Sequence, residues 1–125
     1  MPKNKPLISI VDDDESVREA TTGLMRSLGF RAEAFSSGED FLISAHASAT
    51  ACLIADVNMP GLTGLELYRR LMALGKTIPT ILITAYPNDS VRARALAAGV
   101  KCYMSKPFTE DDLLVCIHAA LTGSG

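Results

Sequence analysis

The feature that most constrains the fold is an alternation of short apolar runs with amphipathic segments, which recurs five times along the chain. Apolar runs this short indicate buried strands, and they are far shorter than the roughly 20 apolar residues that a membrane span requires. We therefore predict strands at residues 7–11, 32–35, 51–55, 80–83 and 102–104.

The segments between these runs have helical spacing. In residues 16–28 the apolar side chains recur at steps of three and four, which predicts one buried helix face made of Val17, Ala20, Leu24 and Leu28. Further helices are predicted at residues 38–44, 65–74 and 91–98. A last helix is predicted to begin at Thr109, where Thr109 and Asp112 resemble a capping box.

Five strands that are each followed by a helix predict an α/β fold with helices on both faces of a parallel sheet. The expected architecture is the flavodoxin-like (βα)5 sandwich with strand order 2-1-3-4-5. The 125 residues are expected to form a single domain over 1–125, with a core at about 7–121. In such folds the ligand lies at the carboxyl ends of the strands.

Composition excludes several classes of protein. A hydrophobic content of 48% is too high for an intrinsically disordered chain, and a net charge of −2 offers no large basic field for nucleic acid. We therefore expect no direct nucleic-acid binding by this domain. The N-terminus lacks the long apolar region of a secretory signal, so we expect a soluble cytoplasmic protein with no membrane partner.

Polar side chains stand where the predicted strands end. Acidic residues follow the first and third runs, a threonine follows the fourth and a lysine follows the fifth; these are Asp12, Asp13, Asp56, Thr84 and Lys106. Strands one and three are neighbours in the expected order, so the three carboxylates are predicted to crowd together and repel. Mg²⁺ suits such a group of oxygen ligands, and Lys106 and Thr84 add a cation and a hydroxyl donor. This set of groups favours phosphoryl transfer.

With these residues placed, the chain resembles the receiver domain of two-component response regulators. The matching pieces are Val11-Asp12-Asp13-Asp14, Asp56-Val57-Asn58-Met59-Pro60-Gly61 with Gly64, Ile83-Thr84-Ala85, Ala98-Gly99 and Tyr103-Met104-Ser105-Lys106-Pro107-Phe108. The resemblance runs from about residue 7 to residue 121. The stretch from 84 to 106 favours receivers that precede a LuxR-type helix-turn-helix output domain, and hence transcription regulation.

The resemblance implies a phosphorelay function. Asp56 would accept a phosphoryl group from a sensor histidine kinase or a phosphotransfer protein, and Lys106 would pair with Asp56 and then with the phosphoryl oxygens. Mg²⁺ (or Mn²⁺) would be held by Asp12, Asp13, Asp56 and the backbone carbonyl of Asn58. A receiver of this kind is a phosphoacceptor signalling domain rather than an enzyme, although it assists its own phosphorylation and dephosphorylation.

The resemblance also implies a switch. Thr84 would move toward the phosphoryl group while Tyr103 turns inward, and the surface of the fourth helix, fifth strand and fifth helix would change. That surface would control an output domain or a partner, or pair two copies in a homodimer. Asn58 and Tyr86 occupy positions that tune the phosphoryl lifetime in similar domains. A cis bond is expected at Lys106-Pro107.

Two other functions fit part of the pattern. Asp12 and Asp14 form a D-x-D directly after a strand, as in haloacid-dehalogenase-like phosphatases, where Asp12 would be the nucleophile and Asp14 the acid and base. This alternative leaves Asp56 without a role. The second alternative is a pseudo-receiver, an interaction module that keeps the fold but is not phosphorylated.

Overall fold

The computed structural model describes residues 5–122 and contains one sheet of five parallel strands. The strands are β1 (Leu7–Val11), β2 (Arg31–Phe35), β3 (Cys52–Asp56), β4 (Thr80–Thr84) and β5 (Cys102–Ser105). They pair in the order β2-β1-β3-β4-β5. The predicted flavodoxin-like (βα)5 class and strand order are therefore confirmed. The ends of the predicted 1–125 domain lie outside the described residues.

Helices connect the strands and cover both faces of the sheet. They are α1 (Glu15–Ser27), α2 (Gly38–Leu42), α3 (Gly64–Ala73), α4 (Asp89–Ala98) and α5 (Glu110–Leu121). A short 3-10 helix at Ala47–Ala49 was not predicted. The capping box predicted at the start of the last helix is confirmed, with Thr109 as the N-cap of α5. Within residues 5–122, no helix combines the length and the apolar character needed to cross a membrane.

The sheet separates two apolar cores. Successive strand residues point to opposite faces, so β4 sends Leu82 to one core and Ile81 and Ile83 to the other. Side chains from α2, α3 and α4 pack on the first face, and side chains from α1 and α5 pack on the second. With both faces covered, every β1, β3 and β4 residue is buried, which holds the carboxyl ends of these strands in fixed positions.

The predicted buried face of α1 is partly wrong. Ala20 is exposed, and the buried side chains of this helix are Thr21, Thr22 and Met25. Threonine can be buried here because the Thr22 hydroxyl donates to the Arg18 carbonyl at 2.7 Å, which satisfies its only proton. A prediction from apolar residues alone therefore missed the threonines, and the predicted buried face is rotated about the helix axis relative to the observed one.

Three of the strands, β3, β4 and β5, run one residue further than predicted. Asp56 and Thr84 are the last residues of β3 and β4 rather than the first residues after them. The ladder continues through them because Asp56 pairs with Ile83 and Thr84 pairs with Ser105. Their side chains are therefore presented by the sheet itself, which positions them more rigidly than a loop would.

The start of α3 passes very close to the end of β3. A Cβ on Gly64 would lie 2.5 Å from the backbone oxygen of Asp56 and 3.1 Å from the Leu82 side chain. The Gly64 N–H also donates to the Val57 carbonyl at 3.3 Å. Glycine is therefore needed at this position for space, and the close approach supports the backbone beneath Asp56.

We predict that Gly64→Ala lowers the free energy of unfolding by about 1–3 kcal/mol, because the added methyl group forces α3 away from β3. Urea denaturation followed by circular dichroism measures this change. Gly23→Ala is the matched control, since Gly23 lies exposed on α1 with no heavy atom within 4 Å of the added Cβ. It should raise the free energy of unfolding by up to about 1 kcal/mol. Equal effects of the two substitutions would contradict the prediction.

Candidate functional site

Three carboxylates meet at the carboxyl edge of the sheet, as predicted. Ligand oxygens of Asp12, Asp13 and Asp56 all lie within 4.8 Å of one another. The sheet register brings Asp12 and Asp56 together, because Val11 is opposite Ala55 and the residue that follows each of them is an aspartate. Asp12 and Asp56 are 1% and 6% exposed, whereas Asp13 is exposed to solvent.

Positive charge and backbone N–H groups offset this negative charge. The Lys106 Nζ lies 3.3 Å from Asp12 Oδ2 and 3.7 Å from Asp56 Oδ2. The Asp14 N–H donates to Asp12 Oδ1 at 2.9 Å, and the Asn58 N–H donates to Asp56 Oδ1 at 3.2 Å. Each buried carboxylate thus has one oxygen at a backbone donor and the other at the lysine.

Together these surroundings favour the neutral form of the Asp56 carboxyl more than water does. Burial raises the pKa of the Asp56 carboxyl above its usual range, and the Asn58 N–H opposes this by favouring the charged form. The neighbouring Asp12 raises the pKa further, whereas Lys106 lowers it. A second cation at this edge would favour the ionised carboxylate, which is the form able to act as a nucleophile.

The chemistry of the donor set fits a hard divalent cation. Oxygen ligands from three carboxylates are what Mg²⁺ or Mn²⁺ prefers, and a partly hydrated ion needs space on the solvent side. A cleft of about 230 Å³ opens there, lined by Asp13, Asp14, Asp56, Asn58, Ala85, Tyr86 and Lys106. Asp12, Asp13 and Asp56 therefore fit such an ion.

Thr84 lies beside the carboxylates but its hydroxyl is engaged elsewhere. The residue is 0% exposed, and its hydroxyl donates to the Asn58 side-chain oxygen. The same hydroxyl oxygen accepts a hydrogen bond from the Tyr86 N–H at 2.9 Å. Thr84 is thus tied both to the loop after β3 and to the loop after β4.

The remaining predicted residues surround the cleft. Tyr103 is half-buried on β5, and its hydroxyl accepts a hydrogen bond from the Asn88 N–H at 3.1 Å. Tyr86 is 75% exposed at the rim of the cleft. The expected cis bond is present between Lys106 and Pro107. All the site residues named from the sequence are therefore at this edge of the sheet or beside it.

Comparison with known proteins identifies the family. Residues 8–118 match the family described as the response regulator receiver domain. The chain belongs to this family. The receiver is 42% identical over 121 residues to the response regulator protein TodT of Pseudomonas putida, covering 97% of this chain and 53% of that protein. It is 31% identical over 114 residues to the transcriptional regulatory protein FixJ of Bradyrhizobium diazoefficiens, covering 91% of this chain and 56% of FixJ.

Solved structures agree with this assignment. The receiver superposes on the crystal structure of FixJ-N with a TM-score of 0.85 at 31% identity, covering 96% of each chain. It superposes on the response regulator StyR with a TM-score of 0.87 at 40% identity, covering 94% of this chain and 60% of StyR. The receiver spans about half the length of the curated relatives it matches, as the 53% coverage of TodT illustrates.

Sequence reasoning missed one residue that supports the receiver's acidic cluster. The Arg18 guanidinium donates to the Asp12 carbonyl at 2.8 Å, which fixes the backbone that carries the two adjacent aspartates. The available signal was its place on the first turn of α1, directly after the acidic run. A basic residue so close to several acids is ordinarily a solvated surface charge, so the position alone did not single it out.

The three cysteines of the receiver pack in the core on the α1 and α5 side. Cys52 is buried, and Cys102 and Cys116 are half-buried against the same cluster. Burial raises the pKa of the Cys52 and Cys116 thiols to about 12, so both remain protonated at neutral pH. Protonated thiols are poor nucleophiles and poor metal ligands, which fits a packing role.

The raised pKa of Asp56 predicts a pH-dependent stability. A carboxyl whose pKa is higher in the folded chain stabilises the fold when it is protonated, and this contribution disappears as the pH rises through the folded pKa. Without divalent cations, Asp56→Asn should therefore raise the free energy of unfolding at neutral pH. The gain should shrink as the pH falls and wild-type Asp56 becomes protonated.

Urea denaturation in a chelator at neutral and mildly acidic pH measures this difference. Asp111→Asn is the matched control, because Asp111 is an exposed carboxylate in the first turn of α5 and is not part of the acidic cluster. The same stabilisation in both variants at neutral pH would mean that general charge reduction is responsible. In that case the burial of Asp56 would not be the cause.

Proposed function

We propose that this receiver accepts a phosphoryl group on Asp56 from the phosphohistidine of a sensor histidine kinase or a phosphotransfer protein. The observation that carries the proposal is the position of Asp56, which lies beside Lys106 and two further carboxylates and lines a cleft. A carboxylate in that position can attack phosphorus from the open side while the Lys106 ammonium offsets the incoming negative charge.

In this transfer an Asp56 carboxylate oxygen forms a bond to phosphorus as the phosphorus–nitrogen bond of the phosphohistidine breaks. The histidine nitrogen keeps the electron pair of that bond. Lys106 already contacts Asp56 Oδ2 at 3.7 Å, so a short movement of its ammonium group brings it to the phosphoryl oxygens. Catalysis of phosphoryl transfer depends mainly on positioning the reacting groups and neutralising their charge.

The proposed cofactor is Mg²⁺ or Mn²⁺, held by Asp12, Asp13, Asp56 and the backbone carbonyl of Asn58. When bound, the ion neutralises negative charge on the phosphoryl oxygens. Arg18 holds the Asp12 carbonyl and so keeps the acidic turn in place. Lys106 contacts both buried aspartates, so it limits their repulsion before any ion arrives.

The proposed switch follows from the charge that phosphorylation adds. A phosphoryl group brings about −1.5 to −2 charges and three acceptor oxygens, which attract the Thr84 hydroxyl and Lys106. Thr84 is bonded to the Tyr86 N–H, and Tyr103 is bonded to the Asn88 N–H, so movement of Thr84 reaches the start of α4. We propose that the surface formed by α4, β5 and α5 changes in response.

That surface would control an output domain or a partner, or would pair two copies in a homodimer. The relatives support transcription regulation, because FixJ is named a transcriptional regulatory protein and the receiver covers only part of it. A LuxR-type output domain and a cytoplasmic location belong to this proposal. Asn58 and exposed Tyr86 at the cleft are proposed to tune the lifetime of the phosphoryl group.

The phosphatase alternative has a structural objection. The Asp14 carboxylate, which would have to serve as the acid and base, is the N-cap of α1 and accepts hydrogen bonds from the Ser16 and Val17 N–H groups. These two hydrogen bonds give the Asp14 carboxylate a structural role as the cap of α1. Family membership also favours the receiver function over this alternative.

We predict that acetyl phosphate with Mg²⁺ adds one phosphoryl group to the wild-type chain and none to Asp56→Asn. Intact-protein mass spectrometry and a hydroxylamine-sensitive label measure the product. Asp40→Asn, at an exposed site on α2, is the matched control and should be labelled like the wild type.

Each contrary outcome identifies an alternative. Labelling that survives Asp56→Asn but is lost in Asp12→Asn would mean that Asp12 is the nucleophile, as in the phosphatase alternative. A folded wild-type chain that is labelled by neither acetyl phosphate nor a panel of phosphorylated histidine kinases would support the pseudo-receiver.

We predict that Mg²⁺ at ten times its dissociation constant raises the free energy of unfolding by about 1.4 kcal/mol. Urea denaturation with and without the ion measures this stabilisation, and calorimetric titration gives the dissociation constant. Asp13→Asn should weaken Mg²⁺ binding because one carboxylate ligand is lost, whereas Asp40→Asn should leave the Mg²⁺ affinity unchanged. A dissociation constant that is the same in Asp13→Asn and the wild type would contradict the proposed ligand set.

A further inference from the structure

Asn58 touches two functional residues through different atoms. Its backbone N–H donates to Asp56 Oδ1 at 3.2 Å, and its side-chain oxygen accepts the proton of the Thr84 hydroxyl. The Asn58 side chain is otherwise exposed, at the edge of the cleft. It therefore has no packing role that would explain its contact with a fully buried threonine.

The Thr84 hydroxyl has one proton, so it can donate to one acceptor at a time. In the structure that proton goes to Asn58, while the hydroxyl oxygen accepts from the Tyr86 N–H. Donation to a phosphoryl oxygen on Asp56 would require the bond to Asn58 to break. Asn58 and a phosphoryl group are thus competing acceptors for the same proton.

We propose that Asn58 is a positioning residue that holds the Thr84 hydroxyl in its resting orientation and so sets how many unphosphorylated chains adopt the switched conformation. This inference rests on the proposed phosphoryl acceptance by Asp56. It concerns the equilibrium before phosphorylation, which is separate from any effect of Asn58 on the phosphoryl lifetime. The Asn58 side chain is lost in Asn58→Ala, but its backbone N–H and carbonyl remain.

The free energy of the Thr84–Asn58 hydrogen bond lowers the apparent affinity of any ligand that needs Thr84 in its switched orientation. A ligand that needs Thr84 in the switched orientation must break the Thr84–Asn58 hydrogen bond before it binds fully. Removing the competing acceptor raises the fraction of competent chains, and the apparent affinity rises by the same factor. The usual net contribution of one hydrogen bond corresponds to about a two- to tenfold change.

The test uses beryllofluoride with Mg²⁺ as the phosphoryl mimic and the full chain as the protein. Calorimetric titration should give an apparent affinity about two- to tenfold higher for Asn58→Ala than for the wild type. Mg²⁺ affinity is measured separately for each variant, so that an effect of the substitution on the ion is divided out of the beryllofluoride affinity. Thr84→Val removes the hydroxyl at similar volume, and in that background Asn58→Ala should have no effect on affinity.

A second measurement uses the variants without any ligand and takes the wild type with beryllofluoride as its reference. In the Mg²⁺-free chain, the Thr84 methyl resonance of Asn58→Ala should move toward the position that it has in the wild type with beryllofluoride. Asn58→Asp keeps an acceptor oxygen at the same distance from the backbone, so its Thr84 methyl resonance should stay near that of the unliganded wild type.

Two results would overturn the inference. One is an unchanged or lower beryllofluoride affinity in Asn58→Ala; the other is an equal gain from Asn58→Ala with and without the Thr84 hydroxyl. Failure of the wild type to bind beryllofluoride would instead count against phosphoryl acceptance by Asp56. The Thr84 methyl resonance of the unliganded variants would then still decide whether Asn58 holds Thr84, with an unmoved resonance in Asn58→Ala overturning the inference.

Discussion

The crowding of three carboxylates against a single ammonium group is the constraint on which the rest of this structure depends. Asp12 and Asp56 are buried at the ends of adjacent strands, and Lys106 contacts both of them. Burying a carboxylate without partners is costly, and each of these two has a backbone N–H donor on its other oxygen. The close approach of α3 at Gly64 supports the same edge from beneath.

The hydrogen bonds around this cluster also link it to the loops that would transmit a signal. Asn58 joins Asp56 to Thr84, and Thr84 joins the end of β4 to the loop that follows it. The Tyr103 hydroxyl adds a bond from β5 to the N-cap of α4. A change of charge at Asp56 therefore acts on several linked hydrogen bonds rather than on one isolated side chain. In the proposed switch, these bonds carry the change from the acidic edge to α4.

Much of the fold could be predicted because most strands are short apolar runs, and the segments between them show the periodicity of helices. The errors arose where burial did not follow apolar character. Thr22 is buried on α1 because its hydroxyl bonds to a carbonyl of its own helix, whereas Ala20 is exposed. Arg18 was missed because its contact with the Asp12 carbonyl depends on how α1 leaves the acidic turn. A periodicity argument contains no information about either contact.

Which chemical groups reach the carboxyl edge follows from the sequence alone, because each group follows or ends an apolar run and the carboxyl ends of parallel strands lie on one side of the sheet. Only the tertiary structure decided which atoms pair there. The bond from Thr84 to Asn58 joins residues 26 positions apart, and its direction depends on side-chain rotamers set by the surrounding packing. The physical reason is that spacing along a chain reports secondary structure, whereas the partner of a hydroxyl proton depends on distances between loops that only the folded sheet brings together.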